Sequence, residues 1–135
     1  MPTRIESGLT EGVAYASPFV GRADHTLAIR ITPGDFTTDE VDAHGYLKPG
    51  VPLDRDGALV GAAPAHVFGC VAEAVKIADD NAAATLAAAD AVDVAVVVLG
   101  VVNRDVLEDI LGRALTADEA AGFDRAGSKL VLSNT

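Results

Sequence analysis

The chain has 135 residues, half of them hydrophobic and only 4% aromatic, with 20 acidic and 10 basic side chains and a formal net charge of −10. This length suits one domain that buries about two-thirds of its unfolded surface around an aliphatic core. The acidic balance argues against a nucleic-acid partner, because phosphate binding depends on Lys and Arg, and a single cysteine excludes an internal disulfide. We expect neither a signal peptide nor a membrane partner, because the chain opens without an apolar leader and has no run of about 20 apolar residues.

Residues 1–25 are polar and interrupted by glycine and proline, which break any long regular element. Two interpretations fit this stretch: a frayed terminus, which is common, or an arm that becomes ordered against a partner. We divide the chain into this arm, residues 1–25, and a domain, residues 26–135. Apolar anchors are spaced along the arm at Val13, Tyr15, Phe19 and Val20.

A half-buried strand is predicted over Thr26 to Thr32, where Leu27, Ile29 and Ile31 alternate with small or polar residues. A Pro-Gly-Asp turn ends it. An acidic stretch follows, and it lacks the ligand order and the closing glutamate of an EF-hand. We therefore favour a solvated acidic loop over a calcium site for the carboxylates of Asp35, Asp39, Glu40 and Asp42.

A hairpin turn is predicted at Asp56-Gly57, because Asp-Gly between apolar runs supplies the positive φ that such a turn needs. One strand is predicted from His66 to Ala78, with a bend at Gly69 as an option. The alanine-rich stretch 82–89 fits a short helix capped by Asn81 and a loose loop equally well.

The segment Val92 to Val102 reads V-D-V-A-V-V-V-L-G-V-V. Valine is restricted at χ1 and packs well on a pleated surface, so this run favours a strand over a buried helix. A nearly continuous apolar run of this length predicts burial on both faces. We place this strand at the centre of a small sheet or barrel.

Helical spacing of apolar residues predicts a helix from Asn103 to Arg113, with Asn103 as its N-cap. A capping box of Thr116 and Glu119 opens a second short helix, and residues 129–133 form a last strand. The fold class is therefore mainly β (α+β): a small compact barrel-like domain with short C-terminal helices and an extended N-terminal arm.

The residues offer no pattern for chemistry. His25, His44 and His66 are too far apart in the chain for a metal motif, and Cys70 lies in an apolar run where a thiol is buried and inert. Neither a phosphate-binding glycine loop nor a nucleophilic serine elbow occurs. We expect no enzyme, and we assign no catalytic, metal or cofactor-binding residue.

From Gly45 onward, four segments follow one another: G-Y-L-K-P-G-V-P-L, a turn with Asp56-Gly57, a strand with Gly69-Cys70-Val71, and V-A-V-V-V-L-G-V-V leading into Val106-Leu107. This order of segments resembles the lambda-type bacteriophage head decoration proteins, the decoration protein D family. The likeness covers about Gly45 to Leu132, roughly two-thirds of the chain, and it implies a domain of the β-tulip type. Two features depart from the simplest members: the strand-like stretch Leu27 to Ile31 and a fuller helical region, Arg104 to Phe123.

The resemblance implies a homotrimer on the threefold and quasi-threefold axes of an expanded phage head, on the outer surface of the virion after synthesis in the host cytoplasm. There it would clamp the major capsid protein against internal DNA pressure, without touching nucleic acid or membrane. In such proteins an N-terminal segment orders on the shell and pairs with a capsid strand. The alternative is a non-viral small β module for binding or oligomerisation. The capsid-contact residues expected on this pattern are Val13, Tyr15, Phe19, Val20, Leu27, Ile29 and Ile31.

Overall fold

A computed structural model describes the backbone of residues 15–134 and, within that range, every side chain except those of residues 22–24. This part of the chain forms seven β-strands and three short α-helices, so the mainly β class is confirmed. The main sheet is open and does not close into a barrel. The strands are β1 (Phe19–Ile31), β2 (Tyr46–Leu47), β3 (Pro52–Leu53), β4 (Gly69–Val71), β5 (Val75–Lys76), β6 (Val92–Asn103) and β7 (Leu130–Ser133). The helices are α1 (Ala83–Ala88), α2 (Arg104–Leu111) and α3 (Ala117–Gly122).

The valine-rich strand β6 is the centre of the main sheet, as predicted. Strand β1 runs antiparallel along one edge of β6, and β4 and β7 share the other edge, β4 antiparallel and β7 parallel. The strand order is β1-β6-β4-β3, with β7 added to β6, while β2 and β5 form a separate pair. Val96 and Val97 face opposite ways and are both buried. The predicted burial of both faces of β6 is confirmed only at Val96 and Val97, because Ala95 and Leu99 of the same strand are exposed.

The single strand predicted over residues 66–78 is wrong, because the chain changes sheets within it. Strand β4 pairs with β6 and β3, and the chain then bends and enters the second sheet as β5 beside β2. Gly69 is not the bend. It lets β4 approach β6, since a Cβ there would lie 2.7 Å from the Val96 side chain.

Strand β1 begins at Phe19, seven residues before the predicted strand. The proposed boundary between arm and domain, after residue 25, therefore falls inside a strand. Gly21 does not end the strand but takes φ +71 inside it, and the register with β6 shifts between Val20 and His25. Such a shift is typical of a bulge, which bends a strand without stopping it.

The predicted helices are confirmed at their caps. The Asn103 side chain accepts a hydrogen bond from the Val106 backbone N–H, and Thr116 and Glu119 form the reciprocal capping box. The alanine-rich stretch is a helix, α1, although its N-cap is Ala82. Asn81 instead donates its side-chain amide to the Val41 carbonyl oxygen at 3.3 Å.

The predicted hairpin turn at Asp56-Gly57 is also present. Leu53 forms an antiparallel bridge with Leu59 across it, and Gly57 takes φ +80. This turn lies against the end of β1, where any side chain at position 57 would meet the Arg30 carbonyl oxygen. A glycine is required there both for its φ and for this close approach.

Candidate association surface

Strand β1 is the outer strand of the main sheet. It is 13 residues long, and no strand of the described residues pairs with the edge that faces away from β6. A free strand edge presents unpaired N–H and C=O groups that a second chain can bind, and native proteins usually shorten or cover such edges. Here the Gly57 turn approaches β1 at the Arg30 carbonyl oxygen and the Ile31 side chain, so this turn lies against the end of the strand.

An outward row of three valines lies at the start of this strand. Val20 of β1 is in register with Val101 of β6, and Val101 is in register with Val131 of β7. Residues paired across strands share a face of the sheet. Val20 and Val131 are 50% and 58% exposed, so this valine row (Val20, Val101 and Val131) faces solvent. Contiguous apolar groups on a surface mark contact sites.

The next residue along each strand points to the other face. Phe19, Val102 and Leu132 form that second row; Val102 is fully buried, and the other two are packed against the core. The alternation at this end of the sheet thus places one apolar row inside and one outside. The outward row is not needed for the core, which leaves it free to contact a partner.

Tyr15, one of the predicted capsid contacts, is attached to this domain itself. Its hydroxyl donates a hydrogen bond to Oδ2 of Asp42 at 3.0 Å. Burial, and then the neighbouring carboxylate, raise the pKa of the Tyr15 phenol above its usual range. Tyr15 is therefore attached to its own chain through Asp42, and its contact with the capsid stays a prediction. Val13 lies outside the described residues.

The other predicted contacts divide along β1. Leu27, Ile29 and Ile31 share one face of the strand, as predicted, because their register partners are Val96, Val94 and Val92. Leu27 is 52% exposed and Ile31 only 1%. Ile31 is therefore a core residue and is corrected as a contact, whereas Leu27 at the rim of the core remains available.

The acidic loop is only partly solvated: Asp35 and Asp39 are exposed as predicted, whereas Glu40 and Asp42 are buried, which corrects the sequence interpretation for these two. Glu40 is 2% exposed, and its Oε2 lies 3.0 Å from Nη2 of Arg113. Arg113 also pairs with the buried Glu119, at 2.8 Å between Nη1 and Oε1. These two carboxylates raise the pKa of the Arg113 guanidinium, so it stays charged. This buried ion cluster (Glu40, Arg113 and Glu119) attaches the loop to α3.

Asp42, in the same loop, is buried for a different reason. Its Oδ1 accepts hydrogen bonds from the backbone N–H groups of His44 and Tyr46, at 2.9 and 3.0 Å, and its Oδ2 receives the Tyr15 hydroxyl. The carboxylate therefore shapes the turn that leads into β2. The only sequence signal for these roles was the capping-box position of Glu119, since its partner Arg113 and the distant Glu40 follow no local pattern.

Cys70 is fully buried in β4, as predicted. Burial raises the pKa of its thiol well above the usual range, so it remains a protonated, unreactive group. Across residues 15–134, no three His, Cys, Asp or Glu side chains are grouped so that they could hold a metal ion. None of the helices in that range has the length and apolar character needed to cross a membrane.

A scan against protein-family models finds none that matches this chain. Searches of curated proteins and of solved structures return no significant match.

Proposed function

We propose that this chain is a capsid decoration protein of a lambda-type bacteriophage. It binds the outside of the expanded head as a trimer, at threefold and quasi-threefold sites, and stabilises the shell by holding neighbouring capsid subunits together. The observation that carries the proposal is the long free edge of β1 with the outward valine row next to it. The order of segments from Gly45 to Leu132 supports the same assignment.

Strand addition accounts for how such an edge binds. A partner strand laid along β1 forms main-chain hydrogen bonds that supply affinity, while alternate side chains supply specificity. In a trimer, three such edges engage one shell, and binding of the first raises the effective concentration of the others. A weak single contact then becomes a strong clamp, which is what a protein under internal DNA pressure requires.

The valine row adds apolar contact to this edge. Complete burial of one valine contributes about 1.5 kcal/mol or more, and Val20 and Val131 are already half-buried. Covering both therefore contributes about 1.5 kcal/mol for each copy. Phe19, Leu27 and Ile29 lie on the same strand and remain in the proposed contact; residues 1–14, including Val13, lie outside the described residues and remain the proposed arm.

The test is co-sedimentation with expanded empty heads assembled from the major capsid protein of the phage that encodes this chain. We expect saturable binding, trimers in solution by native mass spectrometry, and added density outside the shell at threefold axes in a reconstruction of the decorated heads. Val20→Lys and Val131→Lys should each weaken binding without lowering the melting temperature. Ala84→Lys is the matched control, because Ala84 is exposed on α1, away from this surface.

The outcomes separate the rival assignments. An oligomer that does not bind heads would favour the alternative, a non-viral β module for binding or oligomerisation. A monomer that does not bind heads would contradict the decoration assignment and the oligomerisation form of the alternative, and would favour a monomeric binding module. Deletion of residues 2–14 is the proper test of the arm, because deletion through residue 25 would also remove the first half of β1.

A further inference from the structure

A small groove lies beside the main sheet at Leu27 and Val98. Its volume is about 180 Å³. Small-molecule sites are larger, about 300–1,000 Å³, so the groove has room for one large side chain and not for a cofactor. It is lined by Leu27, Val98, Phe68, Arg55, Gly127 and Lys129.

The floor of the groove is apolar and partly open to solvent. Leu27 of β1 lies opposite Val96 of β6, and Val98 lines the groove together with Leu27. Leu27 is half-exposed although it points the same way as the buried Ile31. The apolar surface therefore continues beyond the core, with no side chain of the described residues covering it at Leu27.

The rim of the groove is basic in a protein that is otherwise acidic. Neither Arg55 nor Lys129 forms an ion pair with any carboxylate of the described residues; Arg55 lies over the Phe68 ring instead, 5.4 Å from its centroid. Asp54 shares the turn with Arg55, but its Oδ1 accepts two backbone N–H groups of that turn. Carboxylates pair instead with other arginines of the described residues: Arg30, Arg104, Arg113 and Arg125.

We propose that this groove binds an acidic peptide segment of a partner protein, which inserts one large apolar side chain over Leu27 and Phe68. Carboxylates on either side of that side chain pair with Arg55 and Lys129. The charge of the rim selects an acidic segment, and the volume selects a single side chain. Only Leu27 is shared with the proposed capsid contact. Arg55 and Lys129, whose charges select the peptide, lie outside that contact, so the inference does not depend on the proposed decoration function.

The test uses the full chain and a fluorescein-labelled peptide with one leucine between two pairs of glutamates, followed by fluorescence anisotropy. We expect saturable binding that weakens as salt is added, because salt screens exposed charges. Replacing the glutamates by glutamines, or the leucine by glycine, should abolish it. Arg55→Ala and Lys129→Ala should each weaken binding about two- to fivefold, the range for one exposed ion pair.

Arg30→Ala is the matched control. It removes the same charge from β1, but Arg30 pairs with Asp93 on the opposite face of the sheet, so peptide affinity should not change. Leu27→Ser should weaken binding while the circular dichroism spectrum stays that of the parent, since Leu27 is half-exposed.

Two results would overturn the inference. The first is that the protein binds the glutamate and glutamine peptides with equal affinity, or that a double variant carrying both Arg55→Ala and Lys129→Ala binds the glutamate peptide as tightly as the parent does. The second is a change in self-association of that double variant by sedimentation velocity, which would assign the groove to a second copy of this chain.

Discussion

Strands β1 and β6 are both long and paired with each other, but they differ in sequence and in environment. Strand β1 alternates aliphatic with polar residues, whereas β6 is a nearly continuous aliphatic run. Strand β6 has neighbours on both edges, and its Val96 and Val97 are buried, whereas β1 has one neighbour and leaves Val20 and Leu27 half-exposed. The comparison teaches that strand position in the sheet, together with strand composition, decides which aliphatic residues stabilise the fold and which remain exposed.

The largest expected effect tests the centre of the sheet. Val97→Asp places a charge without a partner on a buried face of β6, opposite Cys70. Such burial costs several kcal/mol, a large share of the roughly 5–15 kcal/mol that stabilise a domain. We expect no folded protein by circular dichroism. Ala95→Asp, at an exposed position of the same strand, should change stability by under about 0.5 kcal/mol; a folded Val97 variant would show that β6 is not central.

The second prediction contrasts two ion pairs. Arg113→Met leaves Glu40 and Glu119 buried without their cation, so the free energy of unfolding should fall by about 3–5 kcal/mol. Arg30→Gln removes the mostly exposed pair with Asp93, which joins β1 to β6, and should cost at most about 1 kcal/mol. Urea denaturation measures both. Equal losses would mean that the buried ion cluster does not attach the acidic loop to α3.

The third prediction compares two positions on one face of β1. Ile31→Ala creates a cavity in the core and should cost about 3 kcal/mol. Leu27→Ala removes a side chain that is half-exposed, so it should cost under about 1 kcal/mol. The same denaturation curves decide this. A loss at Leu27 as large as that at Ile31 would show that the rim of the groove belongs to the core.

Local signals explain what the sequence could predict. The N-cap Asn103 and the capping box of Thr116 and Glu119 act within a few residues, so both helices were found. The alternation in β1 gave the face of each side chain. The single strand predicted over residues 66–78 was wrong. Its division into β4 and β5 depends on which distant strands pair with each half, and the local residue pattern does not encode that pairing.

The candidate surface was only partly predictable for the same reason. Alternation indicates that a strand is half-buried, but it does not say whether its edges are paired, so the free edge of β1 needed the structure. The burial of Glu40 depends on Arg113, which lies 73 residues away in sequence. A run of acidic residues is usually solvated, and nothing near Glu40 distinguishes it.

The smallest expected effect concerns the chain just before β1, where Tyr15 binds Asp42. The Tyr15 pKa is raised in the folded protein above its value of about 10 in the unfolded chain. Above pH 10 the unfolded state therefore binds fewer protons than the folded state, so the free energy of unfolding should fall as pH rises. Below pH 10 the hydrogen bond contributes fully.

Tyr15→Phe should lower the free energy of unfolding by about 1 kcal/mol at pH 7, the contribution of one hydrogen bond. Above pH 10, the free energy of unfolding of this variant should fall less steeply with pH than that of the parent. Asp42→Asn should reduce that alkaline slope by a smaller amount, because burial contributes more than the carboxylate to the raised pKa. The slope should not vanish in either variant, since the buried Cys70 thiol also has a raised pKa and acts in the same direction. Denaturation curves between pH 7 and about 11 measure this. An unchanged slope in the Tyr15 variant would mean that the Tyr15 hydroxyl does not bind Asp42 in solution.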